Sequence, residues 1–155
     1  MDKKAFTEKI AEVATELDKL QMFEEADVLD GIMNKVATMA GETGMDRSYL
    51  AAALWTSHDD NEEPLDKNYD ITDVSEESAM KAEKDCADFM QRAGSLLEGI
   101  DPEQAGHDLW LTRNGHGAGF WDRGLGEVGQ QLSDIARSMG GSDAYVGDDG
   151  KVHLT

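Results

Sequence analysis

The chain has 155 residues, 39% of them hydrophobic, and its 33 acidic side chains against 14 basic ones give a formal charge of −19. This is enough apolar material for one modest core, alone or with a helical appendage. The charge excludes binding nucleic acid or an anionic membrane through the general surface, and leaves solubility, cation binding or imitation of a nucleic acid towards a basic partner.

A single cysteine, Cys86, excludes an internal disulfide framework and a multi-cysteine zinc site, and fits a reducing cytoplasm. Residues 1–20 carry charges throughout and do not read as a signal peptide. No stretch approaches the roughly 20 apolar residues that span a bilayer.

Phe6, Ile10, Val13, Leu17 and Leu20 form an apolar helical stripe, and Ala26, Leu29, Met33, Val36 and Ala40 form a second, with Gly41 as its cap. The short break between them predicts an antiparallel helical hairpin over residues 1–41. Two helices bury only one seam, and Val28, Ile32 and Met39 add apolar groups off the second stripe. Gly31 inside the second helix points to a close helix contact. Residues 1–40 are therefore expected either to associate with a second copy, giving a homo-oligomer, or to dock on residues 46–155.

A linker over residues 41–46 leads to a short helix with Tyr49, Leu50, Ala53, Leu54 and Trp55 as its apolar members. Residues 57–78 are dense in carboxylates and read as an irregular, largely solvated loop. Asp59, Asn61 and Glu63 have the spacing that opens a calcium loop, but Pro64 stands where glycine is needed, so no metal is expected. Ser75 caps a long helix with Glu76 and Glu77 in its first turn, Ala79, Ala82, Cys86, Phe89, Met90, Ala93, Leu96 and Leu97 along its buried stripe, and Gly99 and Pro102 at its end. Cys86 falls on that stripe and reads as a small core residue. Pairing with His107 or His116 as a nucleophile would need a helix start or basic neighbourhood that the sequence does not display. Residues 59–103 carry 15 acidic and 4 basic side chains, so the middle third supplies most of the charge.

Residues 107–123, HDLWLTRNGHGAGFWDR, are the most site-like segment. Leu109–Thr112 has strand character, Asn114-Gly115 signals a hairpin that His116 to Gly119 lengthen, and Phe120–Asp122 returns as a second strand. Leu125, Val128, Leu132, Ile135, Ala136 and Met139 make a helical stripe closed by Gly140-Gly141. Ala144–Val146 and Val152–Leu154 are strands about an Asp149-Gly150 turn. The expected fold class is α+β: a helical hairpin (1–41) followed, over 46–155, by helices and a small antiparallel ββαββ unit.

The candidate binding residues are Asp108, Trp110, Arg113, Asn114, His116, Trp121, Asp122 and Arg123. Alternate glycines expose backbone N–H groups for an anion, Arg113 and Arg123 suit a carboxylate or phosphate, and Trp110 and Trp121 suit a planar group. His116 is an acid or base if Asp108 or Asp122 orients it. The segment matches neither a phosphate-binding loop nor a dinucleotide fingerprint, so no cofactor is assigned and no catalytic constellation is complete. Two readings stand: a binding protein without catalysis, or a ligand-binding domain or enzyme centred on Arg113–Arg123.

Tyr49, Leu54-Trp55, Glu63-Pro64-Leu65-Asp66, Tyr69, Asp85-Cys86, the run from His107 to Gly129 and Tyr145 to Val152 resemble a family of small uncharacterised proteins of tailed bacteriophages, prophages and plasmids, over residues 46–155. Residues 8–37 are similar to a short helical module attached to other phage proteins. The resemblance implies a context in a mobile element and assigns no catalytic residue. In that context the first reading becomes an acidic accessory protein that binds a host or phage protein, such as a basic nucleic-acid-binding or defence protein.

Overall fold

The computed structural model describes residues 8–13, 15 and 44–155. The chain divides into two units, Met1–Glu42 and Thr43–Thr155. In the first, residues 8–13 and 15 are helical, with Val13 exposed; the second helix of the expected hairpin, and most of the first, lie outside the described residues.

The second unit contains helices α1 (Met45–Thr56), α2 (Glu76–Ala93), α3 (Pro102–Arg113) and α4 (Glu127–Ser138), and strands β1 (Ala144–Val146) and β2 (Val152–Leu154). None of the described helices is long and apolar enough to cross a membrane. Helix α2 begins where its signals place it: the Ser75 hydroxyl accepts from the Ser78 N–H, and Glu76 and Glu77 sit in the first turn against the positive end of the dipole. Ala82, Cys86, Phe89 and Ala93 are its buried stripe. Helix α4 buries Leu132 and Ala136, with Gly129 and Ser133 beside them.

Helix α3 is the central element and lies mainly against α1. Gly106 lets the two backbones meet: a Cβ there would stand 1.9 Å from the carbonyl oxygen of Met45. Tyr49 from α1, Phe89 from α2, Leu109 and Trp110 from α3, Phe120 and Leu132 complete a core in which each is at most 1% exposed. Tyr49 meets Trp110 edge to face and Phe89 stacks on Phe120.

The expected ββαββ unit is corrected at its first half. Leu109–Thr112 is helical and Phe120–Asp122 is a single 3-10 turn, so only β1 and β2 pair, antiparallel, with Tyr145 opposite His153. The coarser α+β assignment stands, as helices with one small antiparallel sheet. The reason lies in burial. Leu109 to Arg113 are all buried, so α3 shows no amphipathic period and its apolar run imitates a strand. Asn114-Gly115 is the C-cap of this helix, with Gly115 at φ 70°, rather than a hairpin turn. Both motifs need positive φ, and the dipeptide serves either.

The acidic loop is more ordered than its composition implies. Leu65 is buried, Asp70 and Asp73 form a capping box around a 3-10 turn, and Val74 bridges to Val152 of β2. Trp55, expected on the apolar face of α1, is 54% exposed. It stacks on His107, with the ring centroids 5.9 Å apart.

Candidate functional site

The candidate residues lie along α3 and the segment after it: Asp108, Trp110 and Arg113 are buried, Asn114 and His116 half-buried, and Trp121, Asp122 and Arg123 exposed. Arg113, at the end of α3, is buried with its side chain 4% exposed. Its guanidinium donates to the Asp85 carboxylate and the Tyr49 hydroxyl, each at 2.7 Å, and to the carbonyls of Gly140 at 2.7 Å and Met139 at 3.2 Å. One side chain therefore joins α1, α2, α3 and the carbonyl end of α4, where a cation also suits the helix dipole. Burial opposes the Asp85 charge, but hydrogen bonds from Lys81 and Arg113 outweigh it and hold that carboxyl below its ordinary value. Burial pushes the Tyr49 hydroxyl well up, so it stays protonated.

Asp108 is 1% exposed and takes a two-pronged bond from Arg123, at 3.0 Å from Nε and 2.7 Å from Nη2. Gln104 donates to the same carboxylate at 3.1 Å. The ring of His107 stands 3.8 Å from it, and its Nδ1 is buried with no partner among the described residues. Arg113 is thus spent inside the fold, whereas Arg123 is exposed and held at one edge by the Asp108 carboxylate.

Trp110 is buried and donates from Nε1 to the Thr56 hydroxyl at 2.8 Å. Asn114 donates to the Trp110 carbonyl and accepts from the Ser142 N–H at 2.8 Å, tying the end of α3 to the start of β1. Trp121 is 38% exposed, and the Arg137 guanidinium lies over its ring at 5.2 Å. Asp122 is exposed. The eight residues do not converge on one site: Trp110 and Asn114 face one side of the unit's interior with His116 near them, while Asp108 and Arg123 form a separate pair.

The glycines after α3 build a tight return that uses several of the exposed N–H groups expected there. The N–H groups of Gly115 and His116 are spent on the carbonyls of Thr112 and Leu111, and that of Phe120 on the Thr112 hydroxyl. Gly119 is required by packing: a Cβ there would lie 2.4 Å from Thr112 Oγ1 and 2.6 Å from the Trp121 ring. Gly117 faces open space.

Cys86 is buried, as its place on the stripe implies, and burial pushes its thiol well up, so the nucleophilic thiolate is disfavoured. The Asp59 carboxylate, first of the calcium-like trio, accepts from the N–H groups of Asn61 and Glu63 and so closes its own turn. Bonds from these two backbone groups, that of Glu63 foremost, hold it below its ordinary value. Among the described residues no three His, Cys, Asp or Glu side chains are placed to hold a metal ion.

What remains open is a cleft of about 300 Å³ between the ends of α1 and α3 and the start of β1, which Trp110, Asn114 and His116 share with Thr56, Ser57, His58, Ser142, Asp143 and Ala144. Tyr49 and Asp85, the partners of Arg113, and His58 and Asp143 of the cleft are not among the candidate binding residues expected from the sequence. A buried arginine demands a carboxylate, but no local pattern says which. Comparison with known proteins gives no match to a family model, to a curated protein or to a solved structure.

Proposed function

We propose that this chain is a non-enzymatic acidic binding protein of a bacteriophage or other mobile element, which occupies the basic, nucleic-acid-binding surface of a protein in the bacterial cytoplasm. The observation that carries the reading is the excess of exposed carboxylates over cations. Residues 44–155 hold 23 acidic and 9 basic side chains. Six of those nine cations, Lys67, Lys81, Arg92, Arg113, Arg123 and Arg137, lie against carboxylates of the same unit. Asp60, Glu62, Asp66, Asp70, Glu76, Glu77, Glu98, Asp101 and Glu103 are all exposed within the middle third. Such a face attracts a basic partner from a distance and repels nucleic acid. The mobile-element context rests on the resemblance of residues 46–155.

The test is displacement. Bacterial DNA-binding proteins are retained on a duplex DNA matrix at low salt, and the purified chain is added in solution. A discrete basic protein should elute, free DNA should compete for it, and the effect should fade at high salt. A variant with Asp60 and Asp66 changed to Asn and Glu62 and Glu98 to Gln should lose most of the effect while melting no lower than the wild type. No displacement at low salt, or displacement indifferent to these four charges, would sink the proposal.

The competing reading, a ligand or catalytic site within Arg113–Arg123, draws its support from the cleft beside Asn114 and His116, since Arg113 is an internal strut and the exposed Arg123 is held by Asp108.

A further inference from the structure

The cleft beside His116 combines a fully satisfied frame with unsatisfied walls. Its frame is closed: Trp110 Nε1 donates to Thr56, the Thr56 hydroxyl to the Ala52 carbonyl, Asn114 bonds both Trp110 and Ser142, and the Ser142 hydroxyl donates to the Thr155 carbonyl. Four other polar residues line it, Ser57, His58, His116 and Asp143. None of the side-chain hydrogen bonds among the described residues uses their side chains. A rigid surround holding uncommitted polar groups around a concavity is the arrangement that recognises a small ligand.

The charge of that ligand follows from what lines the cleft. It has no lysine or arginine, and it has one carboxylate. The C-caps of two helices, Ser57 of α1 and Asn114 of α3, are among its lining residues; α1 has no basic residue in its last turn, and the one in α3, Arg113, is paired with Asp85. Helix C-termini carry partial negative charge, so the field favours a cation. A bare metal ion is excluded among the described residues, because His58, His116 and Asp143 are not close enough together to share one. The Asp143 carboxylate only accepts, and a serine hydroxyl and neutral imidazoles accept as well as donate, so a ligand with several diverging donors suits a space of about 300 Å³. A planar guanidinium has five N–H donors in a fixed fork, whereas an ammonium concentrates three on one point.

The geometry points to a guanidinium-binding site in this cleft, with Asp143 as counter-ion and Ser57, His58 and His116 as the surrounding polar contacts. Two sources share the chemistry: a free small guanidinium compound and an arginine side chain of a protein. The site does not require the acidic-surface reading, since it uses none of the carboxylates of residues 59–103.

The experiment is a titration of the full-length, isotope-labelled chain with L-argininamide, followed residue by residue in two-dimensional NMR spectra. Saturable shifts are expected at Ser57, His58, His116 and Asp143, with weaker binding of L-lysinamide. Asp143→Asn should weaken binding roughly tenfold or more, the scale of one lost charge-assisted hydrogen bond. Asp66→Asn removes the same charge from the exposed loop and should change affinity less than about twofold. A neutral decapeptide with one arginine separates the sources: tighter binding than argininamide assigns the site to a protein partner, and equal binding assigns it to a free compound. Unsaturable shifts spread over residues 59–103, or equal effects of Asp143→Asn and Asp66→Asn, would overturn the site. Equal affinity for lysinamide would overturn its preference for guanidinium.

Discussion

Replacing Arg113 by methionine removes the guanidinium and keeps most of the stem, so the loss measures the polar strut alone. In the folded chain the head group supplies bonds to Asp85, Tyr49, Gly140 and Met139. Breaking a buried pair by deleting one partner costs about 3–5 kcal/mol, because the other charge is stranded. Asp85 is not fully stranded: its side chain is 18% exposed and Lys81 stays at 2.7 Å. The two carbonyls and the tyrosine hydroxyl nevertheless lose a donor or a partner, at about 1–3 kcal/mol for each that stays dry. The low end, about 3 kcal/mol, is therefore expected for Arg113→Met. At 2–4 °C per kcal/mol for a domain of this size, the Tm should fall by roughly 6–12 °C. Arg113→Lys should recover about half, since a compact ammonium reaches Asp85 but not both carbonyls at once. Urea titration by far-UV circular dichroism gives the free energies, and a cycle with Asp85→Asn isolates the pair, with a coupling of about 1–3 kcal/mol. A loss below about 1 kcal/mol for Arg113→Met would refute the strut and return this arginine to the list of ligand-binding groups.

The glycines after α3 should separate by role: Gly117→Ala, with open space and no positive φ, should be neutral or stabilise by up to about 1 kcal/mol, whereas Gly119→Ala should cost about 1–3 kcal/mol through its clash with Thr112 and Trp121, both read from thermal melts. Asp85 contributes stability that is full above its unfolded pKa of about 3.9 and is lost as pH falls through its lower folded value. Acid titration of the wild type should therefore show a steeper loss below about pH 4 than Asp85→Asn; parallel curves would contradict the pairing. With a formal charge of −19, sodium chloride at moderate concentration should raise the Tm by screening self-repulsion, and a Tm that falls or stays flat with salt would show that the ion pairs outweigh the repulsion.

Several elements were legible in the sequence because their signals are local. Ser75 with Glu76 and Glu77 announces α2, the stripe from Leu125 to Met139 announces α4, and an Asp-Gly turn between Ala144–Val146 and Val152–Leu154 announces the hairpin. Each is half-exposed, so polar and apolar residues alternate with the period of the element. The place of Cys86 in the core followed from the same periodicity.

Only the tertiary structure decided the rest. Helix α3 is covered on nearly every side at its C-terminal end, so its period disappears, and the signal that would have found it lies at its start: Asp101 caps with its carboxylate, Pro102 occupies the first turn and Glu103 follows. Gly99 and Pro102 were expected to end the preceding helix, but α2 closes at Ala93 with Gly94 as its C-cap, and Pro102 opens α3. The partners of Arg113 are 64 residues away at Tyr49 and 28 away at Asp85, and no local pattern encodes such pairings. The cleft likewise draws its groups from three distant segments, around residues 57, 116 and 143, that meet only because Gly106 lets α1 and α3 touch and Asn114 ties α3 to β1. Composition and periodicity determine which faces must be buried; which buried charge meets which carboxylate, and which polar groups are left over to face a ligand, is decided by packing.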